Sequence, residues 1–72
     1  MPTLREMTKG EKAVRLDFNP NGNADVTFIK SQTAALIDFC ETLKVKDGRL
    51  AALAQTAYEE AAMWAVKAAT AN

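Results

Sequence analysis

Residues 49–70 read RLAALAQTAYEEAAMWAVKAAT. Leu50, Leu53, Ala57, Ala61, Trp64, Ala68 and, one residue beyond, Ala71 recur at steps of three and four, the spacing of one face of an α-helix. Ten of the residues from 49 to 71 are alanine, which favours helix and lets neighbouring backbones approach closely. A helix over residues 49–71 is therefore predicted, with Asp47 as its N-cap.

Upstream, Lys46-Asp47-Gly48 forms a short polar link, and behind it residues 24–45 carry a second helical pattern. Asn23 is placed to cap that helix, and Asp25 suits the positive end of its dipole. Ile29, Thr33, Leu36, Cys40 and Leu43 step by four and three in a heptad-like seam, widened by Val26 and Ile37. Two helices of ~32–34 Å, at 1.5 Å per residue, joined by so short a link must fold back antiparallel. The turn Asn19-Pro20-Asn21-Gly22-Asn23 precedes them: Pro20 disfavours helix at Asn19, and Gly22 tolerates positive φ. Before it, Thr8 and Glu11 have the spacing of a capping box and open a short helix over residues 8–16. Gly10 lies inside that helix, which is too short to persist without packing. The expectation is an all-α chain forming one helical-hairpin domain over residues 1–72: a short N-terminal helix, then a two-helix antiparallel hairpin.

Alanine accounts for fourteen of the 35 apolar residues, leaving 21 larger ones for a core. Chains below roughly 70–80 residues usually need disulfides, a metal or oligomerisation to add to one small core. Cys40 is the sole cysteine and histidine is absent, so neither an internal disulfide nor a zinc site is expected. Phe28, Ala35 and Phe39 on one helix, and Tyr58, Ala62, Ala65, Val66 and Ala69 on the other, fall outside the two seams. Contiguous apolar area of that size is seldom left exposed. A homo-oligomeric bundle, packed through the Ala-rich helix, is the expected remedy.

Charge and chemistry narrow the function. Nine Lys and Arg balance nine Asp and Glu, and the basic residues are scattered, so a long nucleic acid is a poor partner. No apolar run approaches the ~20 residues needed to span a bilayer, no signal-peptide pattern opens the chain, and a free cysteine fits a reducing cytosol. Without histidine there is no Ser-His or Cys-His pair, and no Gly-rich phosphate loop or metal-ligand spacing occurs. Glu59 and Glu60 are neighbours that point about 100° apart on a helix, a poor acid–base pair; one is expected to cap or to pair with a base elsewhere. Cys40 reads as a buried, inert thiol. No enzyme and no cofactor is expected.

Binding chemistry fits better. Phe18-Asn19-Pro20 sets an aromatic ring, an amide and a rigid turn at the mouth of the second helix. An exposed ring beside a helix N-terminus can stack on a base while backbone N–H groups and a lysine hold phosphate, and Lys30 lies two turns into that helix. The plainer alternative is that Phe18 caps the hairpin core, and Trp64, on the seam, is likewise expected in the core. Lys67, one turn beyond Trp64, would approach a symmetry axis if its helix self-associates, although a solvated surface position is its ordinary fate.

The pattern Arg49, then Thr56-x-x-Glu59-Glu60-Ala61-x-Met63-Trp64-Ala65, resembles the helical hairpin of phage anti-CBASS cyclic-oligonucleotide sponges and of the related Thoeris anti-defence sponges. The likeness extends back through Ile29-Lys30 and Phe18-Asn19-Pro20, covering roughly residues 14–71, and the length suits the shorter, anti-CBASS type. The resemblance implies a non-enzymatic trap in the infected bacterial cytoplasm. It implies a homo-oligomer, commonly a hexamer, that binds cyclic dinucleotides between protomers and in many members cyclic trinucleotides in separate pockets. By that resemblance Phe18, with Asn19 and Pro20, would stack a base, and Lys30 would hold phosphate. Arg49 and Lys67 would serve a trinucleotide pocket by position. Phe18 lacks the phenolic hydroxyl of the tyrosine often found there. A cyclic dinucleotide carries two charges and a trinucleotide three, so one cation per protomer suffices without a basic net charge. The competing expectation is a helical-hairpin interaction module with no nucleotide ligand.

Overall fold

The computed structural model describes residues 6–19 and 21–71, and in them the chain is all-α. Helix α1 spans Lys9–Val14, α2 spans Ala24–Leu43 and α3 spans Gly48–Ala69. Each start is fixed by the residue that the sequence placed there. Thr8 Oγ1 accepts from the Glu11 N–H while Glu11 Oε1 accepts from the Thr8 N–H, completing the capping box. Asn23 Oδ1 accepts from the N–H groups of Asp25 and Val26, and Asp47 Oδ1 accepts from that of Leu50. These bonds satisfy donors that a helix terminus otherwise leaves orphaned.

The molecule is flat, with principal extents of 40 × 39 × 12 Å. Its short dimension is close to the ~10–12 Å diameter of a single helix. α2 lies between the other two helices, and the core gathers where all three meet. Val14, Ala34, Ile37 and Ala62 form its centre, with Leu16, Ile29 and Tyr58 packed against them. Ile37 is the one large side chain among the described residues that is fully buried. Both broad faces of the slab remain open, which leaves Phe28, Leu36 and Phe39 of α2 exposed together with Leu50, Leu53, Met63 and Trp64 of α3.

The third helix is rotated relative to its sequence reading. Ala51, Gln55 and Ala62 are the residues that α3 buries, with Tyr58, Ala65, Val66 and Ala69 partly covered beside them. The stripe Leu50–Leu53–Ala57–Ala61–Trp64–Ala68 faces outward instead. The small side chains of Ala51 and Ala62 let α3 pack closely on this face, although the outward stripe carries the larger Leu50, Leu53 and Trp64. Gln55 settles the intrachain face: its Nε2 donates to the Ile37 carbonyl and to Glu41 Oε1, each at 3.0 Å. For α2 the expected seam holds at Val26, Ile37 and Cys40, while Leu36 is exposed and Lys30 and Ala34 are buried.

Gly10 shows why α1 can dock at all. A Cβ there would lie 2.1 Å from the Ala34 carbonyl oxygen, so the residue that weakens α1 in isolation permits its contact with α2. The Gly10 N–H also donates to Asp38 Oδ1 at 2.7 Å. Gly10→Ala is expected to force the helices apart and destabilise the chain by about 2 kcal/mol, the usual cost of overpacking, read as a lowered midpoint in thermal unfolding.

Glu41 ties the three helices together. Its carboxylate receives Lys9 of α1 at 3.2 Å, Gln55 of α3 at 3.0 Å and Lys44, just past α2, at 2.7 Å. Hydrogen bonds from Lys44, then Gln55 and Lys9, hold its pKa down at about 2, against an ordinary 4.5. A depressed carboxylate pKa means that the stabilisation is complete above pH 4.5 and is lost as the pH falls towards 2. Thermal unfolding between pH 2 and 5 is therefore expected to show a fall in stability that Glu41→Gln flattens.

Candidate ligand-binding site

The connection between α1 and α2 is held by a series of hydrogen bonds to its backbone groups. The Leu16 N–H donates to the Glu11 carbonyl at 2.9 Å and the Arg15 N–H to that of Lys12 at 3.2 Å, the bond pattern with which many helices close on glycine. Arg15 occupies the glycine position here, at φ 54° and ψ 58°. Left-handed backbone costs a residue with a Cβ on the order of 1 kcal/mol. What the chain gains is an arginine side chain on the rim of a cleft.

Beyond Arg15 the Phe18 N–H donates to the Arg15 carbonyl at 2.9 Å. Asn19 then fastens the turn to the first residues of α2. Its Nδ2 donates to the Asn23 carbonyl at 2.8 Å and to Thr27 Oγ1 at 2.9 Å, and its Oδ1 accepts from the Asn23 N–H at 3.1 Å. Its own carbonyl accepts from Gly22 at 3.0 Å, where φ is 60°. Pro20, expected in the site with them, lies outside the described residues.

Lys30 completes this arrangement from α2. It is only 7% exposed, and its Nζ donates to the carbonyls of Arg15 at 2.9 Å and Phe18 at 2.5 Å. The same ammonium stands 5.5 Å from the centroid of the Phe18 ring, within cation–π range. Burial, and then the nearby Arg15 guanidinium, push its pKa below the usual lysine value. Phe18 itself is 65% exposed, so the expectation that it caps the core does not hold. Its backbone is clamped on both sides while its ring is left open to solvent.

Lys30 also lines a cleft of about 400 Å³ between α1 and α3. Arg15 stands at the end of α1, and α3 contributes Glu59, Met63 and Val66. Among the described residues Arg15 and Glu59 make no ion pair. The cleft thus presents two cations and a carboxylate on otherwise apolar walls.

The structure brings Phe18, Asn19 and Lys30 together as a unit, but not Arg49 and Lys67. Those two lie eighteen residues apart on α3, about 27 Å at 1.5 Å per residue. Trp64, expected in the core, is 62% exposed, with the Lys67 Nζ 5.5 Å from its ring. Glu59 and Glu60 are both exposed, and neither has the ion-pair partner expected for one of them among the described residues. Cys40 is buried, as expected.

The family profile for the Acb2/Tad1 hairpin domain matches residues 10–70. The chain belongs to the Acb2/Tad1 hairpin family. The match takes in the Phe18–Asn19 turn, Lys30 and both ends of α3, and it bears out the likeness seen in the sequence. Acb2/Tad1 hairpins form a non-enzymatic sponge family. No curated protein and no solved structure matches the chain. Among the described residues no helix is long and apolar enough to cross a membrane.

Arg15 and Glu59 are cleft residues to which sequence reasoning assigned no binding role. Glu59 was legible as half of an acidic pair on a helix and as part of the motif that carries the resemblance, without a role in a site. For Arg15 the sequence offered no signal: the first helix was expected to run to residue 16, whereas it stops at Val14 and closes on Arg15.

Proposed function

We propose that this chain is a sponge for cyclic dinucleotide second messengers, sequestering them without turnover and so blocking CBASS anti-phage signalling in the infected cell. The carrying observation is Phe18: an exposed ring on a backbone fixed by Asn19 and Lys30 is a preformed platform for a base. Stacking of that kind contributes ~1–3 kcal/mol per base, and a platform ordered in advance costs little to engage. Arg15 supplies phosphate with a guanidinium, and Lys30, with two of its three N–H groups committed to backbone carbonyls, supplies the third along with its charge. Membership of the Acb2/Tad1 hairpin family supports the same reading.

In this proposal the chain is a homo-oligomer, a hexamer by preference. Symmetry then presents Phe18 and its cations twice to a ligand with two bases and two phosphates. Cyclic trinucleotides would occupy separate junctions where Arg49 and Lys67 meet residues of other copies, because within one copy the two are too far apart. The rival reading, an interaction module with no nucleotide ligand, accounts for the open apolar faces but gives no reason for an arginine in left-handed backbone at the cleft.

The test is depletion followed by recovery. The protein is incubated with cyclic di- and trinucleotides, separated by size exclusion, and heat-denatured. Loss of free ligand with recovery of intact nucleotide supports the sponge. Degraded nucleotide would indicate an enzyme, and undiminished free ligand would reject the proposal.

A further inference from the structure

Glu59 is the one feature of the cleft that phosphate binding does not call for. A carboxylate near two cations weakens their pull on an anion, yet Glu59 shares the cleft with Arg15 and Lys30 and, among the described residues, is neutralised by neither. Its place on α3 matters as well. Arg15 and Lys30 come from the end of α1 and from α2, so Glu59 meets a ligand from a different element, beside the apolar side chains of Met63 and Val66.

Resting on the sponge reading, we infer that Glu59 reads the base of the bound cyclic dinucleotide and selects guanine. An ionised carboxylate only accepts hydrogen bonds, and its two oxygens suit two parallel donors. Guanine offers such a pair on its Watson–Crick edge, N1–H beside the N2 amino group. Adenine sets the acceptor N1 beside its N6 amino group, and cytosine sets N3 beside N4. Uracil has one N–H between two carbonyl oxygens. Each of these three bases would turn at least one acceptor towards the carboxylate, whereas guanine turns none. Met63 and Val66 add apolar surface beside the carboxylate, while the two cations remain for phosphate.

Calorimetry on the full chain tests this with cyclic di-GMP and cyclic di-AMP as probes, using wild type, Glu59→Gln and Glu59→Ala. Glutamine and alanine are both good helix formers, so the exposed site on α3 should keep its helix, which circular dichroism checks. Wild type should bind cyclic di-GMP at least about tenfold more tightly than cyclic di-AMP, the scale of one bidentate base contact. Glu59→Ala should bring the two affinities to within about threefold, by loss of cyclic di-GMP affinity. Glu59→Gln, which keeps one acceptor oxygen, should fall between. Equal wild-type affinities, or a ratio unchanged in Glu59→Ala, would overturn the guanine assignment and leave the sponge standing. Binding of neither probe, nor of any cyclic nucleotide in the depletion assay, would remove both.

Discussion

Phe18→Ala is expected to lower affinity for a cyclic dinucleotide by on the order of 100-fold while leaving the helices intact. Each base stacked on an aromatic ring is worth ~1–3 kcal/mol by alanine substitution, and a two-fold site loses the contribution twice. Folding should barely respond, because the ring is mostly exposed and surface substitutions usually stay within about 0.5 kcal/mol. The Phe18 carbonyl still receives the Lys30 ammonium after truncation, so the clamp survives and only the platform is removed. Phe18→Tyr should retain binding. Calorimetry beside circular dichroism separates the effects: an alanine variant that binds within threefold of wild type would rule out stacking at this position.

The caps show how much of the fold was legible. Thr8, Asn23 and Asp47 each act on donors within three residues, so local spacing contains everything the bond needs. The facing of α3 was not legible for the opposite reason. Leu50, Leu53, Ala57, Ala61 and Trp64 do form a continuous apolar stripe, but periodicity identifies a face without identifying what covers it. The intrachain face is instead the one where Gln55 reaches Ile37 and Glu41 and where the small Ala51 and Ala62 admit α2. Gly10 was read through its cost to a helix, because its benefit is a contact with Ala34, far away in sequence.

The site divides in the same way. The Phe18–Asn19 turn was legible as a turn, but an aromatic there could equally have capped the core, so the exposure of the Phe18 ring was not. Lys30 was correctly placed near Phe18, but its inward orientation depends on carbonyl acceptors that exist only once the end of α1 folds against α2. Arg15 and Glu59 line the same cleft from positions 44 residues apart, and the motif that holds Glu59 did not reveal that neighbourhood. In physical terms, local hydrogen bonding was readable and tertiary electrostatics was not.

The exposed stripe of α3 leads to the second large effect. The full chain is expected to run as a homo-oligomer in sedimentation, and Ala61→Glu to drive it to a smaller species at the same concentration. Ala61 lies midway along the outward stripe, where alanine lets two helix backbones approach closely. A carboxylate forced into such a contact without a partner costs several kcal/mol, which corresponds to a weakening of association by more than about 100-fold. The separated chain retains only a small core around Ile37, so the same substitution should lower the unfolding midpoint and make it less dependent on protein concentration. A wild-type chain that is monomeric at tens of micromolar, or an Ala61→Glu variant with unchanged mass, would show that this face has no such role. Ligand binding adds a further check: if the cyclic nucleotide is held between copies, thermodynamic reciprocity requires it to tighten their association. Ala61→Glu, distant in sequence from Phe18, Lys30 and Arg15, should then weaken nucleotide binding as well, and saturating ligand should partly restore the larger species.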